Sequence, residues 1–313
     1  KMQRGHNSPS ASLATRIWRR MRREVVGSLE RVYLYLYVLP RLWRKDMLSL
    51  PFKTLRGCGA FVLVSQAAAI KVALTTRSTL RLEYENFYRL SQCGSDVAAL
   101  MPAYSFVHGW QLVALQCERL TPVPLEQALP LAVQARRTLD AAVCAGGRLS
   151  PEQCPQLLAG LCRVEAAFGP ATAANMRMLA WSFLADGAYH TGLAHGDFHS
   201  RNVMLDRVGN CKLIDLDCVR FNGVTEFDAL YFALELEWSA SGILWTETLA
   251  RCFGPRGQAI LNSLGAFGVS WTDGLGCAFF LDRIGQDDVN FGLRYTPAQM
   301  ELVVQAMQPP AST

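Results

Sequence analysis

The chain has 313 residues, of which 50% are hydrophobic and 18% are charged, and its formal net charge is +5. This composition is typical of a globular protein and excludes an intrinsically disordered one. The length suffices for one large core or two modest domains. No apolar run approaches the ~20 residues that a membrane-spanning helix needs.

Residues 1–50 carry a net charge of +8, with 11 Lys and Arg residues against three Asp and Glu residues, whereas the remainder of the chain carries −3. Within them, Ile17, Met21 and Val25 recur every four residues with arginines between them. A basic amphipathic helix of this kind is typical of a surface that binds anionic lipid. Residues 13–45 therefore contact an anionic membrane surface, hold an acidic substrate, or form an ordinary surface helix. Nucleic acid is not expected as a partner, because no nucleic-acid motif accompanies the charge.

Short apolar strands are predicted next, on both sides of a Gly57-Cys58-Gly59 turn. Glycines let backbone N–H groups approach phosphate, but an ordinary hairpin turn explains the same sequence. The following strand, Ala67–Ala73, is apolar except for Lys71. A lysine in such a strand costs desolvation energy unless it is paired, although an edge lysine can reach water instead.

Residues 79–90 place their apolar side chains at helical spacing, and Glu83 falls on the same face. An acid on the apolar face of a helix is unusual, so Glu83 is the predicted partner of Lys71. Glu85 falls off that face and is expected in water, although a small change of register would exchange the two glutamates.

A further strand is predicted over residues 111–120 and ends near Glu118, where a small β-rich part of the chain would join a helical part. Gly and Pro residues divide the following sequence into three predicted helices, over 125–143, 151–168 and 171–189. Another helix is predicted from Thr225, its expected N-cap. Asp228 falls in the first turn of this helix, where the helix dipole favours an acid.

The most informative sequence is the run from His195 to Asn202, which reads H-G-D-F-H-S-R-N, followed by an apolar strand that ends in I-D-L-D at residues 214–217. Two short strands around a turn would bring Asn202 and Asp215 together. One carboxylate can orient a hydroxyl nucleophile, while an amide oxygen and a second carboxylate can hold Mg²⁺ against nucleotide phosphates. The candidate residues are Asp197 and His195 for catalysis and Asn202, Asp215 and Asp217 for the metal.

This pair of motifs resembles the H-x-D-x-x-x-x-N and I-D-x-D pattern of the kinase-like phosphotransferases, which include aminoglycoside and choline kinases and bacterial lipopolysaccharide sugar kinases. The resemblance implies an α+β, bilobal protein-kinase-like fold, with a small β-rich N-lobe over residues 51–120 and a larger, mainly helical C-lobe over residues 121–313. It implies ATP and Mg²⁺ as cofactors, and it offers a second explanation for Asp228, as an acid that braces the loop carrying Asp197. It also implies that His195 packs beneath the catalytic loop. The residues that it implies for nucleotide binding are Lys71, Glu83, Gly57, Gly59 and Glu118, the last of which marks the hinge.

Departures from the protein-kinase pattern narrow the range of molecules expected to accept the phosphate. The chain has H-G-D and D-L-D where protein kinases usually have H-R-D and D-F-G, and it lacks their A-P-E motif. We therefore expect the acceptor to be a hydroxyl of a sugar, small molecule or glycolipid, with a lipopolysaccharide-core-type kinase favoured. A protein Ser/Thr kinase and a catalytically weak kinase-like binding module are the alternatives; the complete set of site residues argues against the second.

The ten cysteines are scattered and form no C-x-x-C pair, so neither a zinc site nor a disulfide framework is expected. They are interpreted as reduced thiols of a cytoplasmic protein, which would be peripheral at the inner face of a membrane if the basic segment binds lipid.

Overall fold

The computed structural model describes residues 32–44, 51–56, 60–73, 79–109, 112–142, 149–150, 153–187, 189–254, 257–290 and 297–307. The predicted helix around Ile17 and the turn at Gly57 and Gly59 lie outside these residues. The chain divides into two compact units, Lys1–Ser78 with Phe106–Gln116 and Thr79–Ser105 with Cys117–Thr313. The domain boundaries after residues 50 and 120 stay predictions.

A five-stranded sheet forms most of the first unit. Its strands are β1 (Lys53–Arg56), β2 (Ala60–Val64), β3 (Ala68–Ala73), β4 (Tyr104–Gly109) and β5 (Leu112–Glu118). Their spatial order is β1-β2-β3-β5-β4, and β2 pairs antiparallel with both β1 and β3. Aliphatic and β-branched residues favour these strands. Burial alternates along β3, so Ile70 and Val72 enter the core while Lys71 lies on the half-buried face.

A helical segment covers this sheet. It begins with a π-helical stretch, Leu34–Val38, and continues as α1 (Leu39–Arg44). Its buried side chains share one core cluster with the sheet: Leu34, Val38, Leu39 and Leu42 with Phe61, Leu63, Ile70, Val72 and Ala114. Its opposite face exposes Val32, Tyr35 and Leu36, the last by 76%. This part of the basic segment is therefore a surface helix of the fold, while lipid contact stays a prediction.

The second unit is mainly helical. Its helices are α2 (Leu80–Ser91), α3 (Ser95–Ala99), α4 (Leu125–Ala142), α5 (Pro155–Phe168), α6 (Pro170–Asp186), α7 (Thr225–Ser241), α8 (Trp245–Cys252), α9 (Gln258–Ala266), α10 (Asp273–Asn290) and α11 (Pro297–Ala306). Within the described residues, none of the helices is both long and apolar enough to cross a bilayer. The three helices predicted between residues 125 and 189 are present.

Several predicted boundaries of this unit are wrong by a few residues, and the largest difference is at α5, which begins at Pro155 rather than at Pro151. Helix α6 ends at Asp186 rather than at Tyr189, because Gly187 adopts the left-handed conformation (φ 63°) that ends many helices. Helix α7 has Val224 as its N-cap, and Thr225 is its first helical residue, with no side-chain capping bond at the N-cap.

Short strands connect the helices of the second unit. They are β6 (Thr121–Pro122), β7 (Thr191–Ala194), β8 (Val203–Leu205), β9 (Cys211–Leu213) and β10 (Arg220–Val224). Strand β7 pairs antiparallel with β10, and β8 pairs with β6 and β9. The predicted hairpin between Asn202 and Asp215 is confirmed, with Val203 opposite Leu213 and Gly209 in the turn at φ 91°.

Helix α10 packs closely against α5. A Cβ atom on Gly160 would collide with the backbone of Leu281, and one on Gly285 would collide with the backbone of Gln156. Only glycine permits such an approach of two helix backbones. The contact fixes α10 in a buried position, so the polar side chains that it carries are held inside the unit.

The packing of the helical segment on the sheet predicts that substitutions on its buried face lower stability more than substitutions on its exposed face. Leu42 is fully buried, so Leu42→Ala should lower the free energy of unfolding by about 2–5 kcal/mol through lost transfer energy and a cavity. Urea unfolding followed by circular dichroism measures this. Leu36→Ala on the exposed face is the matched control and should stay within about 0.5 kcal/mol of wild type; equal losses for both variants would contradict the packing.

The cysteines predict a labelling pattern. Burial raises the pKa of Cys252 and of Cys277 to about 12, whereas Cys162 is exposed. Because the thiolate is the reactive form, iodoacetamide at pH 8 should label Cys162 in the native protein and spare Cys252 and Cys277. Peptide mass mapping measures the pattern, with urea-unfolded protein as the control in which all three react. Rapid native labelling of Cys277 would contradict the buried position of α10.

Candidate active site

The loop after β7 is the centre of the site. All four residues of β7 are buried, and the strand leads directly into His195, Gly196 and Asp197. Gly196 has φ 78°, and a Cβ atom there would collide with the carbonyl of Cys218. Glycine is therefore required at the middle position of H-G-D, because of both its conformation and its closeness to the neighbouring backbone.

His195 ties this loop to the strand before Asp215. Its side chain is buried, its Nε2 lies 2.9 Å from the carbonyl oxygen of Ile214, and its Nδ1 accepts a hydrogen bond from the N–H of Asp197 at 3.3 Å. A carbonyl can only accept, so Nε2 carries the proton in this arrangement. Both ring nitrogens are thus engaged by backbone groups of the two motifs.

Asp228 on α7 holds the loop in place through its backbone. Its carboxylate accepts hydrogen bonds from the backbone N–H of His195 at 2.6 Å and of Gly196 at 2.9 Å. Arg136 on α4 pairs with the same carboxylate at 2.7 Å and also donates to the carbonyl of Leu193. Both side chains are buried. The bracing interpretation of Asp228 is confirmed.

The carboxylate of Asp197 contacts two basic side chains. Arg283 on α10 donates from Nη2 to Oδ1 at 3.1 Å, and Nε2 of His199 lies 3.5 Å from Oδ2. Burial raises the pKa of Asp197, but the His199 hydrogen bond and the positive charge of Arg283 outweigh burial and hold this pKa well below its usual range. Asp197 is therefore ionised at neutral pH and can accept a hydrogen bond from a hydroxyl group.

Asn202 and Asp215 are brought together by the hairpin. The N–H of Ile214 donates to the carbonyl oxygen of Asn202 at 3.1 Å, which joins the two strand ends. The amide nitrogen of Asn202 donates to the carbonyl oxygen of Asp197 at 2.9 Å. The amide oxygen is consequently the atom of Asn202 that can bind a ligand.

Asp215 has a strained backbone. Its φ of 63° and ψ of 54° make it the single non-glycine residue with positive φ among the described residues. Such conformations cost on the order of 1–3 kcal/mol and are concentrated at functional sites. The bend directs the chain from β9 into the short 3₁₀ helix Leu216–Cys218.

Helix α2 docks on that 3₁₀ helix. Asn86 donates from its amide to the carbonyl of Leu216 at 2.7 Å, and Thr79 donates to Oδ2 of Asp217 at 2.7 Å. Glu83 on the same helix is only 3% exposed, whereas Glu85 is exposed and pairs with Arg81 at 2.9 Å. The predicted faces of the two glutamates are confirmed, while the pairing of Glu83 with Lys71 stays a prediction.

The remaining predicted site residues belong to other elements of the chain. Lys71 sits on β3 opposite Val62, in the first unit. Glu118 ends β5 and pairs with Ala103 through both its backbone N–H and its Oε1, each at 2.9 Å, so its side chain has a structural partner. Gly57 and Gly59 lie outside the described residues.

Cys218 adjoins the catalytic loop. Burial raises the pKa of its thiol well above the ordinary value, and the negative charges of Asp217 and Asp197 raise it further. The thiol is therefore neutral at physiological pH and is not a nucleophile of this site.

Sequence reasoning missed four contributors to the site: Thr79, Asn86, Arg136 and Arg283. The last two are arginines among the buried apolar positions of their helices, with 3% and 6% of their surface exposed. A charge at such a position is the signal that could have found them, because a buried arginine requires a partner.

The donor set suits Mg²⁺. Asn202, Asp215 and Asp217 offer an amide oxygen and carboxylate oxygens, which hard divalent cations prefer. Among the described residues no group of three or more His, Cys, Asp or Glu side chains is arranged to hold a metal ion. Mg²⁺ commonly uses one or two carboxylates and completes its shell with water and substrate phosphates, so the residues present fit this ion.

Comparisons with known proteins agree with the observed fold. Residues 91–229 match the family model of the APH phosphotransferase enzyme family. The fold resembles choline kinase LicA from Streptococcus pneumoniae (TM-score 0.53, 12% identity, 87% of this chain and 97% of that one). It also resembles aminoglycoside phosphotransferase APH(3'')-Id from Streptomyces rimosus (TM-score 0.51, 16% identity, 82% and 99%). No curated protein matches the sequence. The predicted α+β kinase-like fold, β-rich at its start and mainly helical afterwards, is confirmed.

The conformation of Asp215 predicts different outcomes for two substitutions that both remove its charge. Asparagine tolerates positive φ, whereas alanine does not. Asp215→Ala should therefore lower the free energy of unfolding by about 1–2 kcal/mol, and Asp215→Asn should leave it nearly unchanged. Thermal unfolding in metal-free buffer measures both. A more stable alanine variant would contradict the left-handed backbone at this residue.

Proposed function

We propose that the chain is a kinase-like phosphotransferase with an alcohol group as acceptor, and that it transfers the γ-phosphate of ATP with the help of Mg²⁺. The observation that carries this proposal is the hairpin that joins Asn202 to Ile214, next to Asp215, while Asp197 lies on the preceding loop. A nucleophile-orienting carboxylate and a metal-binding pair are the minimal parts of a phosphoryl-transfer site.

The proposed roles follow from the contacts. Asp197 accepts the hydrogen bond of the acceptor hydroxyl and aligns its oxygen with the γ-phosphorus. Asn202 and Asp215 hold Mg²⁺, with Asp217 as a further ligand. When bound, the ion neutralises the charge of the phosphates and of the leaving group. His195 holds the two motifs in register rather than transferring protons, since both its ring nitrogens face backbone groups.

The nucleotide-binding roles rest on the resemblance. We assign Lys71 to the nucleotide phosphates and Glu83 to orienting Lys71, since Glu83 is a buried acid on α2. Gly57 and Gly59 would approach the phosphates, and Glu118 would mark the hinge. Lys71→Met should weaken ATP binding if this assignment is right.

For the acceptor we propose a hydroxyl of a sugar, a small molecule or a glycolipid, with a lipopolysaccharide-core sugar favoured. The H-G-D and I-D-L-D motifs support the small-molecule and sugar branch. Two proteins of similar fold are, by name, kinases of choline and of an aminoglycoside. The exposed apolar face at Tyr35 and Leu36 and the net positive charge of residues 1–50 support an acceptor at an anionic membrane surface.

The proposal predicts Mg²⁺-dependent turnover that requires Asp197. Asp197→Asn keeps the shape of the side chain but removes its charge, and it should lower kcat by about 10²–10⁴-fold. Asp215→Asn should abolish metal-dependent ATP binding. The assay follows ³²P transfer from ATP to a panel of sugars, choline, aminoglycosides, lipopolysaccharide and protein, with EDTA as a blank.

Glu247→Gln, an exposed residue of α8 paired with Arg251, is the matched control and should behave as wild type. Label on a glycan or small molecule supports the proposed acceptor class, and label on protein alone would overturn it. Wild-type turnover in Asp197→Asn would overturn the role of Asp197.

A further inference from the structure

Arg283 contacts two consecutive residues of the catalytic loop. From helix α10, its Nη1 donates to the carbonyl oxygen of Gly196 at 2.8 Å and its Nη2 donates to Oδ1 of Asp197 at 3.1 Å. The planar guanidinium is suited to such paired contacts, because its donors are held in a fixed fork. One side chain therefore sets both the backbone position of the loop and the orientation of the Asp197 carboxylate.

The guanidinium is itself held on two sides. It stacks on the ring of Tyr231, with its central carbon 3.9 Å from the ring centroid, and Nη1 also donates to Oε1 of Gln286 at 3.1 Å. Gln286 in turn donates to Asp282 at 3.2 Å, and Asp282 receives both donors of Arg220 at 2.7 and 3.0 Å. Arg283 is buried within this network, so its geometry is preorganised before any substrate binds.

The two oxygens of the Asp197 carboxylate are consequently not equivalent. Oδ1 is occupied by Arg283, whereas the neighbours of Oδ2, Nε2 of His199 and Nδ2 of Asn202, each lie at 3.5 Å. Contacts of that length are weak hydrogen bonds. Oδ2 is thus the oxygen with capacity for a further donor, and the Asp197 side chain keeps 24% of its surface exposed.

We propose that Arg283 is a positioning residue that turns the Asp197 carboxylate so that Oδ2 receives the acceptor hydroxyl; this inference rests on the proposed function. In the transfer step the hydroxyl oxygen forms a bond to the γ-phosphorus. The bond from that phosphorus to the β–γ bridging oxygen breaks, and its electron pair leaves with ADP. The hydroxyl proton passes through Oδ2 to solvent. Displacement of a reacting group by about 1 Å can cost about 10²-fold in rate. The two contacts of Arg283 therefore affect kcat directly.

Chemical rescue tests this role. Arg283→Ala leaves room for a guanidinium ion at the position of the missing side chain. We expect Arg283→Ala to lower kcat about 10²-fold, with the KM for MgATP changed by less than about twofold. Guanidinium chloride at non-denaturing concentration should restore part of kcat, whereas sodium chloride and urea should not. The rate measured is MgATP hydrolysis with water as acceptor, together with transfer to any acceptor found in the panel.

Two further variants complete the test. Arg283→Lys keeps the positive charge, but a lysine can reach only one of the two acceptors, the carbonyl oxygen of Gly196 or Oδ1 of Asp197. Its kcat should therefore fall between those of wild type and Arg283→Ala. If Arg283→Ala does not fold, Arg283→Lys alone tests the positioning role of Arg283. Arg251→Ala removes a surface arginine that pairs with Glu247 on α8, and it should leave kcat and its guanidinium response unchanged.

The outcomes separate the two proposals. A wild-type chain that neither binds nor turns over MgATP overturns the proposed function. An active wild type with equal kcat in Arg283→Ala, or in Arg283→Lys if only that variant folds, overturns the positioning role alone. A folded Arg283→Ala that guanidinium does not restore also overturns the positioning role, because a purely structural contribution would not respond to the free ion.

Discussion

The arrangement of the site depends on one buried ion pair, that of Asp228 with Arg136. The Asp228 carboxylate receives the N–H groups of His195 and Gly196, and Arg136 balances its charge while also donating to the carbonyl of Leu193. Removing one partner of a buried pair costs about 3–5 kcal/mol, because the other charge stays buried without compensation. The pair thereby joins helices α4 and α7 to the loop that carries Asp197.

A second charged network supports the same loop from another helix. Arg283 and Asp282 are neighbours on α10, one reaching Asp197 and the other pairing with Arg220 on β10. Strand β10 pairs with β7, which leads into the loop. The network therefore also supports the strand from which the loop begins. The loop is therefore held by side chains from three helices and by the neighbouring strand, which suits chemistry that depends on position and charge.

The parts of the site that are local in sequence could be predicted. The spacing of Asp197, Asn202 and Asp215, with a hairpin-length gap, is sufficient to place them together, and helical periodicity separates the buried Glu83 from the exposed Glu85. The contacts of Arg136 and Arg283 could not be predicted, because they join residues 92 and 86 positions apart. No local pattern encodes which distant helix meets the loop. The N-cap of α7 was misplaced by one residue, since the chain bends at Val224 before Thr225.

The position of Cys218 has a consequence for redox sensitivity. Peroxides and electrophilic drugs react with thiolates, and the susceptibility of a cysteine follows its thiolate fraction and its access to solvent. Burial and the carboxylates of Asp217 and Asp197 keep this thiol protonated, although its carbonyl oxygen lies against Gly196. We therefore expect the Cys218 thiol to react slowly with peroxides and with covalent inhibitors directed at it.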